Sequence, residues 1–146
     1  KLSSTPYITK YEPHYKYIKK EIFVEEYLGD NLVDYRIYCM NGIPTLIQIG
    51  QSLTTNKCIK YYDINFNLLD ITEKYKKCRN KIVKPKKLDD MLIISRILSK
   101  KFEFVRIDFY IVNERIYFGE FTFVPSGGNS YFSPLKFEYN YGSKWQ

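Results

Sequence analysis

The fold of this chain is decided by two short alternating segments, VRIDFY at residues 105–110 and YFGEFT at residues 117–122. In each segment apolar and polar side chains alternate with period two, which is typical of a β-strand with one buried face. The residues between them, VNER at 112–115, have the polar composition of a hairpin loop. The sequence therefore predicts an antiparallel hairpin that carries Asp108 on one strand and Glu120 on the other.

This hairpin places acidic side chains among Ile, Phe and Tyr, where a carboxylate is costly unless something neutralises it. Arg106 lies two residues before Asp108 and therefore on the same strand face, and Glu120 shares a face with Thr122 in the same way. Mg²⁺ typically takes one or two carboxylates together with phosphate oxygens of a substrate. The pattern predicts a site for a cation and a polyphosphate. The alternative, two solvent-facing acids on an amphipathic hairpin, stays open.

The rest of the chain predicts an α+β domain with a mostly antiparallel sheet and one main helix. Strand-like composition recurs at residues 21–28, 34–40, 44–50 and 58–62. The Asn-Gly pair at 41–42 is a strong signal for a two-residue hairpin turn. Apolar residues recur at helical spacing over roughly 88–101, with acids in the first turn and lysines at the end, as the helix dipole favours.

Composition is compatible with a single domain spanning residues 1–146. The net charge is +7, from 23 Lys and Arg against 16 Asp and Glu, which favours anionic partners. Much of this charge lies in residues 74–87, which can equally be a solvated charged run. No segment approaches the roughly 18 apolar residues of a membrane span, and no signal peptide is visible, so we expect no membrane insertion.

The cysteines and the histidine form no pattern that predicts a disulfide framework, a zinc site or a catalytic triad. The three cysteines are an odd number without CxxC spacing, which argues against a disulfide framework and against a zinc site. Cys39 lies in an apolar run and is expected to be a small buried hydrophobe. This usage indicates a reducing, cytoplasmic location. The single histidine, His14, has no partner for a catalytic triad, which favours a surface or packing role.

The order of motifs resembles the C-terminal lobe of ATP-grasp enzymes. VEEYL at 24–28 is followed by DYR at 34–36, then by the helix, then by RIDFY at 106–110 and GEFTFVPSGG at 119–128. The resemblance covers roughly residues 15–142 and is strongest to the branch of bacterial polysaccharide and teichuronopeptide biosynthesis. It implies an α+β lobe that helps to enclose ATP. It also implies activation of a carboxylate as an acyl phosphate, which an amine or another nucleophile then attacks.

The resemblance also implies which residues would bind the nucleoside. Glu25 and the backbone of Glu26, Tyr27 and Leu28 would form the hinge that contacts adenine. Asp34 would bind the ribose hydroxyls, at a position where relatives usually carry Glu.

The remaining implied roles concern the metal and the phosphates. Asp108 and Glu120 would hold Mg²⁺, and Arg106 would stabilise the transferring phosphoryl group or acyl phosphate. Thr122 stands where many relatives have the Asn that completes the metal site, so it is a weaker ligand. The backbone of residues 126–128 would donate hydrogen bonds to the acceptor substrate.

Two further expectations follow from the resemblance. Lys60 would reach a phosphate. Residues 1–20 are too few to form the preceding lobe, with its phosphate-binding lysines and glycine-rich flap. We therefore expect the chain to be a fragment that lacks the N-terminal ATP-grasp lobe.

Several functions remain open at this point. The first is the nucleotide-binding lobe of an ATP-dependent ligase that joins a carboxylate to an amine, on a small molecule or a polysaccharide-linked substrate. The second is a non-catalytic or truncated module of the same ancestry, and another is a protein that acts beside glycosyltransferases. A nucleic-acid binder that stacks bases on tyrosines is disfavoured, because the tyrosines follow no single strand face and the acids would repel a phosphate backbone.

Overall fold

A computed structural model describes residues 16–19, 21–30, 32–52, 57–73, 76–77 and 81–145. These residues form one sheet of seven strands and two α-helices. The elements are β1 (Val33–Met40), β2 (Ile43–Ser52), β3 (Lys57–Tyr62), β4 (Leu68–Leu69), β5 (Lys76–Lys77), α1 (Leu88–Ser99), β6 (Phe104–Val112), β7 (Arg115–Thr122), a short 3-10 turn (Pro125–Gly128) and α2 (Leu135–Gly142).

The strand order is β4-β3-β2-β1-β6-β7, and β5 pairs with β3. Every pairing is antiparallel except that of β3 with β5. The predicted α+β class, with a mostly antiparallel sheet and one main helix, is therefore confirmed. The second helix, α2, is short and was not predicted.

Both central hairpins turn through two residues with positive φ. The predicted turn between β1 and β2 has Asn41 at φ 51° and Gly42 at φ 76°. The turn between β6 and β7 has Asn113 at φ 50° and Glu114 at φ 62°. Two positive φ values define the type I′ turn, whose twist matches that of the flanking strands.

The two faces of the sheet are covered differently. The α1 face, on which α1 packs, has a buried core of Ile37, Cys39, Ile47, Ile49, Tyr62, Leu88, Met91, Val105, Ile107 and Phe109. The opposite face, the α2 face, has a second core of Tyr38, Met40, Leu46, Ile59, Tyr61, Ile71 and Tyr141. Because strand side chains alternate, the even-numbered residues of β1 and β6 all lie on the α2 face.

The prediction of a strand at residues 21–28 was wrong. These residues form no strand, and Phe23 and Val24 are 77% and 95% exposed. A strand needs a partner for its backbone hydrogen bonds. β1, which follows this segment, already pairs with β2 on one side and β6 on the other.

The cysteines differ from one another. Cys39 is a fully buried free thiol, as predicted, and burial raises its pKa to about 11. Cys58 is disulfide-bonded, so the argument against disulfides was wrong at this position. Odd cysteine counts do not exclude one bridge beside a free thiol. His14 lies outside the described residues.

Among the described residues, no helix is long and apolar enough to cross a membrane.

The β6–β7 turn offers a stability test. Glu114 carries a side chain in the left-handed region, which costs roughly 1–2 kcal/mol, whereas glycine costs roughly 0.5–1 kcal/mol in unfolded-state entropy. Its ion pair with Lys86, at 3.5 Å, is exposed and contributes little. We expect Glu114→Gly to raise the free energy of unfolding by about 0.5–1 kcal/mol in urea titrations. An unchanged or lower value would contradict the strained turn.

Candidate functional site

Strands β1 and β6 bring four charged side chains together on the α2 face. The register pairs Arg36 with Asp108, and Asp34 and Arg106 lie on the same face. Arg106 holds Asp108 with two hydrogen bonds, Nε to Oδ1 at 2.7 Å and Nη2 to Oδ2 at 2.8 Å. Arg36 donates from Nη2 to Asp34 Oδ2 at 2.8 Å, and its Nε lies 3.3 Å from Asp108 Oδ2. Asp108 therefore lies between two guanidinium groups.

Strand β7 reaches this group through a β-bulge. Ile107 pairs with Phe121 but Phe109 pairs with Phe118, so that two residues of β7 stand opposite Asp108 alone. One of the two is Gly119. A Cβ there would lie 3.1 Å from the carbonyl oxygen of Asp108 and 3.0 Å from the Tyr110 ring. A side chain at this position would push its neighbours by a few tenths of an ångström, so glycine favours the close approach of β7 to β6.

The other bulge residue, Glu120, extends the cluster toward solvent. Arg106 Nη2 lies 3.3 Å from Glu120 Oε1 and donates to Thr122 Oγ1 at 2.9 Å. Thr122 Oγ1 in turn donates to Glu120 Oε1 at 3.0 Å. The Glu120 side chain is 64% exposed, whereas that of Asp108 is 6% exposed. A ligand can therefore reach Glu120 directly, with Arg106 and Asp108 behind it.

Burial and pairing act in opposite directions on this ion pair. Burial raises the pKa of Asp108 above its usual value, although Arg106 and Arg36 work against the rise. Burial would lower the pKa of Arg106, but its hydrogen bonds and charge attraction to Asp108 dominate and raise it. Arg106 is therefore a fixed positive charge.

We call the six side chains Asp34, Arg36, Arg106, Asp108, Glu120 and Thr122 the charge cluster. The structure thus brings together five of the side chains that the sequence singled out. Arg36 joins them as the link between Asp34 and Asp108. Sequence reasoning quoted the DYR motif but gave Arg36 no role. The signal was available, because Asp34 and Arg36 are two apart on one strand face, as are Arg106 and Asp108.

Other predicted site residues lie elsewhere. Glu25, Glu26, Tyr27 and Leu28 belong to the irregular exposed segment, where the Tyr27 hydroxyl donates to Asp30 at 2.5 Å. Among the described residues, no hydrogen bond or ion pair joins this segment to the charge cluster.

Lys60 does not reach the charge cluster, so that expectation was wrong. It pairs with Ile49, whose side chain is in the α1-face core. Directly paired residues share a face, and the alternation of β3 therefore turns Lys60 away from the α2 face.

The glycine-rich segment forms the 3-10 turn after β7. Ser126, Gly127 and Gly128 all have positive φ, and Asn129 N–H donates to the Ser126 carbonyl at 3.2 Å. The turn borders a cavity next to the charge cluster.

A comparison with models of protein families identifies the family of this chain. The model of the family described as TupA-like ATPgrasp matches residues 1–146. The chain belongs to the TupA-like ATP-grasp family. No curated protein and no solved structure matches it significantly.

Proteins of the ATP-grasp family generally bind ATP and Mg²⁺. Carboxylate and hydroxyl oxygens are the hard donors that Mg²⁺ prefers. No group of three or more His, Cys, Asp or Glu in the described ranges could hold a metal ion. Asp108, Glu120 and Thr122 carry oxygens of this kind, but a metal held by them would need phosphate oxygens and water to complete its coordination shell.

The two acids should differ in what they contribute to stability. Asp108→Asn removes the buried partner of Arg106 and Arg36, so we expect a loss of about 3–5 kcal/mol in the free energy of unfolding. Glu120→Gln alters an exposed side chain and should cost less than about 1 kcal/mol. Urea titration of both variants measures the difference. Equal losses would contradict the assignment of Asp108 as the buried acid and Glu120 as the exposed one.

Proposed function

We propose that this chain is the nucleotide-binding lobe of an ATP-dependent ligase that joins a carboxylate to an amine in bacterial cell-surface polysaccharide biosynthesis. The observation that carries the proposal is the meeting of Asp108 and Glu120 at the Arg106 guanidinium, from neighbouring strands and on one sheet face. Membership of the TupA-like ATP-grasp family supports it. In the proposal the carboxylate or amine substrate is a small molecule or is linked to a polysaccharide, and no nucleic acid is a partner.

In this proposal Asp108, Glu120 and Thr122 hold Mg²⁺, which when bound neutralises charge on the phosphates. Arg106 stabilises the transferring phosphoryl group or the acyl phosphate. Its guanidinium is fixed by two hydrogen bonds to Asp108, so it need not reorganise as charge develops. This preorganisation is the main catalytic contribution that we assign to the chain itself.

The nucleoside contacts remain part of the proposal. Asp34 binds the ribose hydroxyls and is held in place by Arg36. The backbone of residues 25–28 contacts adenine. Residues 25–27 are exposed, which is compatible with that role.

The proposal places the reaction in the cytoplasm, where ATP is available, with an N-terminal ATP-grasp lobe covering the charge cluster. The disulfide of Cys58 removes the cysteine-based argument for a reducing compartment, so the location rests on the ATP requirement alone.

Binding of ATP by isothermal calorimetry tests the metal site. We expect ATP to bind in the presence of Mg²⁺ and at least about tenfold more weakly with EDTA. Glu120→Gln should produce a loss of similar size, because it removes an exposed ligand while the fold is kept. Glu114→Gln, which neutralises an acid at the distant hairpin tip, should bind like the wild type.

The proposal fails if the wild-type chain binds no ATP, or binds it equally with and without Mg²⁺. It also fails if Glu120→Gln binds as tightly as the wild type. Binding without turnover when amines and carboxylates are supplied would instead support the non-catalytic alternative.

Thr122 permits a graded version of the same test. Replacing the hydroxyl by a methyl group in Thr122→Val keeps the shape but removes an oxygen donor, so the Mg²⁺ concentration for half-maximal ATP binding should rise. Thr122→Asn supplies a better carbonyl donor and should lower that concentration below the wild-type value. If both variants shift it in the same direction, Thr122 affects the site by packing rather than by ligation.

A further inference from the structure

A cavity of about 350 Å³ opens on the α2 face directly beside the charge cluster. Along β1, Asp34 and Arg36 of the cluster are followed on the same face by Tyr38, which lines the cavity. Along β6, Phe104 lines the cavity and Arg106 follows it on the same face. Positions two apart on a strand are separated by roughly 7 Å. The cavity therefore adjoins Arg106 on the side away from Asp34.

The cavity wall combines aromatic rings with negative charge. Its rings include Phe132 and Tyr141, and Trp145, which stacks on Phe104 at a centroid distance of 5.0 Å. Among the described residues that line it, the charged side chains are Glu73 and Glu138, and none is Lys or Arg. This is notable in a chain with a net charge of +7.

Both acids are fixed in position by protein donors. Glu73 accepts the Tyr61 hydroxyl on Oε2 at 2.7 Å and the Ser130 hydroxyl on Oε1. Glu138 Oε2 accepts the backbone N–H of Phe132 at 2.6 Å. A carboxylate has about four acceptor positions, so each acid can still accept a further donor.

Glu73 is also linked to Tyr38 of β1 through buried polar groups. The Tyr38 hydroxyl donates to Gln48 Oε1 at 3.0 Å, and Gln48 Nε2 donates to the Tyr61 hydroxyl at 3.0 Å. Tyr61 then donates to Glu73. Tyr38 lies directly opposite Arg106 in the pairing of β1 with β6. These hydrogen bonds fix Glu73 relative to Tyr38, which follows Arg36 of the charge cluster on the same face of β1.

We infer that this cavity binds the acceptor substrate as an ammonium ion carried on an apolar group. Fixed carboxylates attract a cation, aromatic faces add a cation–π attraction, and the same carboxylates repel an anionic group. A neutral apolar ligand would gain nothing from the two acids. The role of this ligand as acceptor rests on the proposed ligase function, whereas the preference for an ammonium ion rests on the cavity alone.

The position of the cavity suits the attack on an acyl phosphate held at Arg106. The amine first gives a proton to solvent by way of a carboxylate. Its lone pair then forms the C–N bond while the C–O bond to phosphorus breaks, and phosphate leaves with that electron pair. The second proton lost by nitrogen ends on the phosphate, so the products are the amide, hydrogen phosphate and one released proton.

Trp145 is the only tryptophan and therefore reports on the cavity by its fluorescence. We expect benzylamine to change that fluorescence saturably, benzyl alcohol to bind at least about tenfold more weakly, and phenylacetate to have no saturable effect. Glu138→Gln should abolish the preference for benzylamine while benzyl alcohol binding is retained, which shows that the cavity is intact. Glu73→Gln should act in the same direction, and Glu114→Gln should not differ from wild type.

The inference is overturned if benzylamine binds no better than benzyl alcohol, or if Glu138→Gln keeps the wild-type preference. The titrations need no nucleotide, so they are independent of the calorimetry with Mg²⁺ and ATP. Loss of the amine preference in a chain that binds ATP overturns the cavity assignment alone. A preserved preference in a chain that binds no ATP overturns the acceptor role and the proposed ligase together.

Discussion

The ion pair between Arg106 and Asp108 is the constraint on which the rest of the structure depends. A carboxylate as buried as that of Asp108 is tolerated only with close partners, because breaking such a pair leaves an uncompensated charge. Arg106 comes from the same strand, but Arg36 must come from β1, directly opposite. A slip of one residue would turn these groups into the apolar α1-face core. The register of the central strands and the geometry of the site are therefore fixed by one requirement.

The β7 bulge gives Asp108 and Glu120 different environments. Gly119 lets β7 approach the Asp108 backbone, and the extra residue keeps Glu120 at the Arg106 guanidinium while most of its side chain remains in solvent. Asp108 is held by arginines and cannot move freely, whereas Glu120 can exchange its weak 3.3 Å contact for a ligand. The buried Asp108 thus orders the site, and the exposed Glu120 is accessible to a ligand.

Local patterns predicted the parts of this arrangement that depend on alternation. The period-two segments around Asp108 and Glu120, and the Asn-Gly turn, follow from side-chain direction and turn chemistry, and both are present. Residues 21–28 show the same strand composition but form no strand, and their apolar side chains Ile22, Phe23 and Val24 stay exposed, which only the three-dimensional structure reveals. The contact of Arg36 with Asp108 and the β7 bulge depend on cross-strand register, which one sequence does not specify.

The charge balance of the cluster explains why a cation would be needed for a phosphate ligand. Its three carboxylates outnumber its two guanidiniums, which leaves one net negative charge, and the neighbouring cavity adds two more acids. A polyphosphate alone would be repelled from this face despite the overall positive charge of the chain. One divalent ion reverses the sign at the cluster but not in the cavity. The same sheet face would then attract an anion at Arg106 and an ammonium group beside it, which is the pairing that amide formation from an acyl phosphate requires.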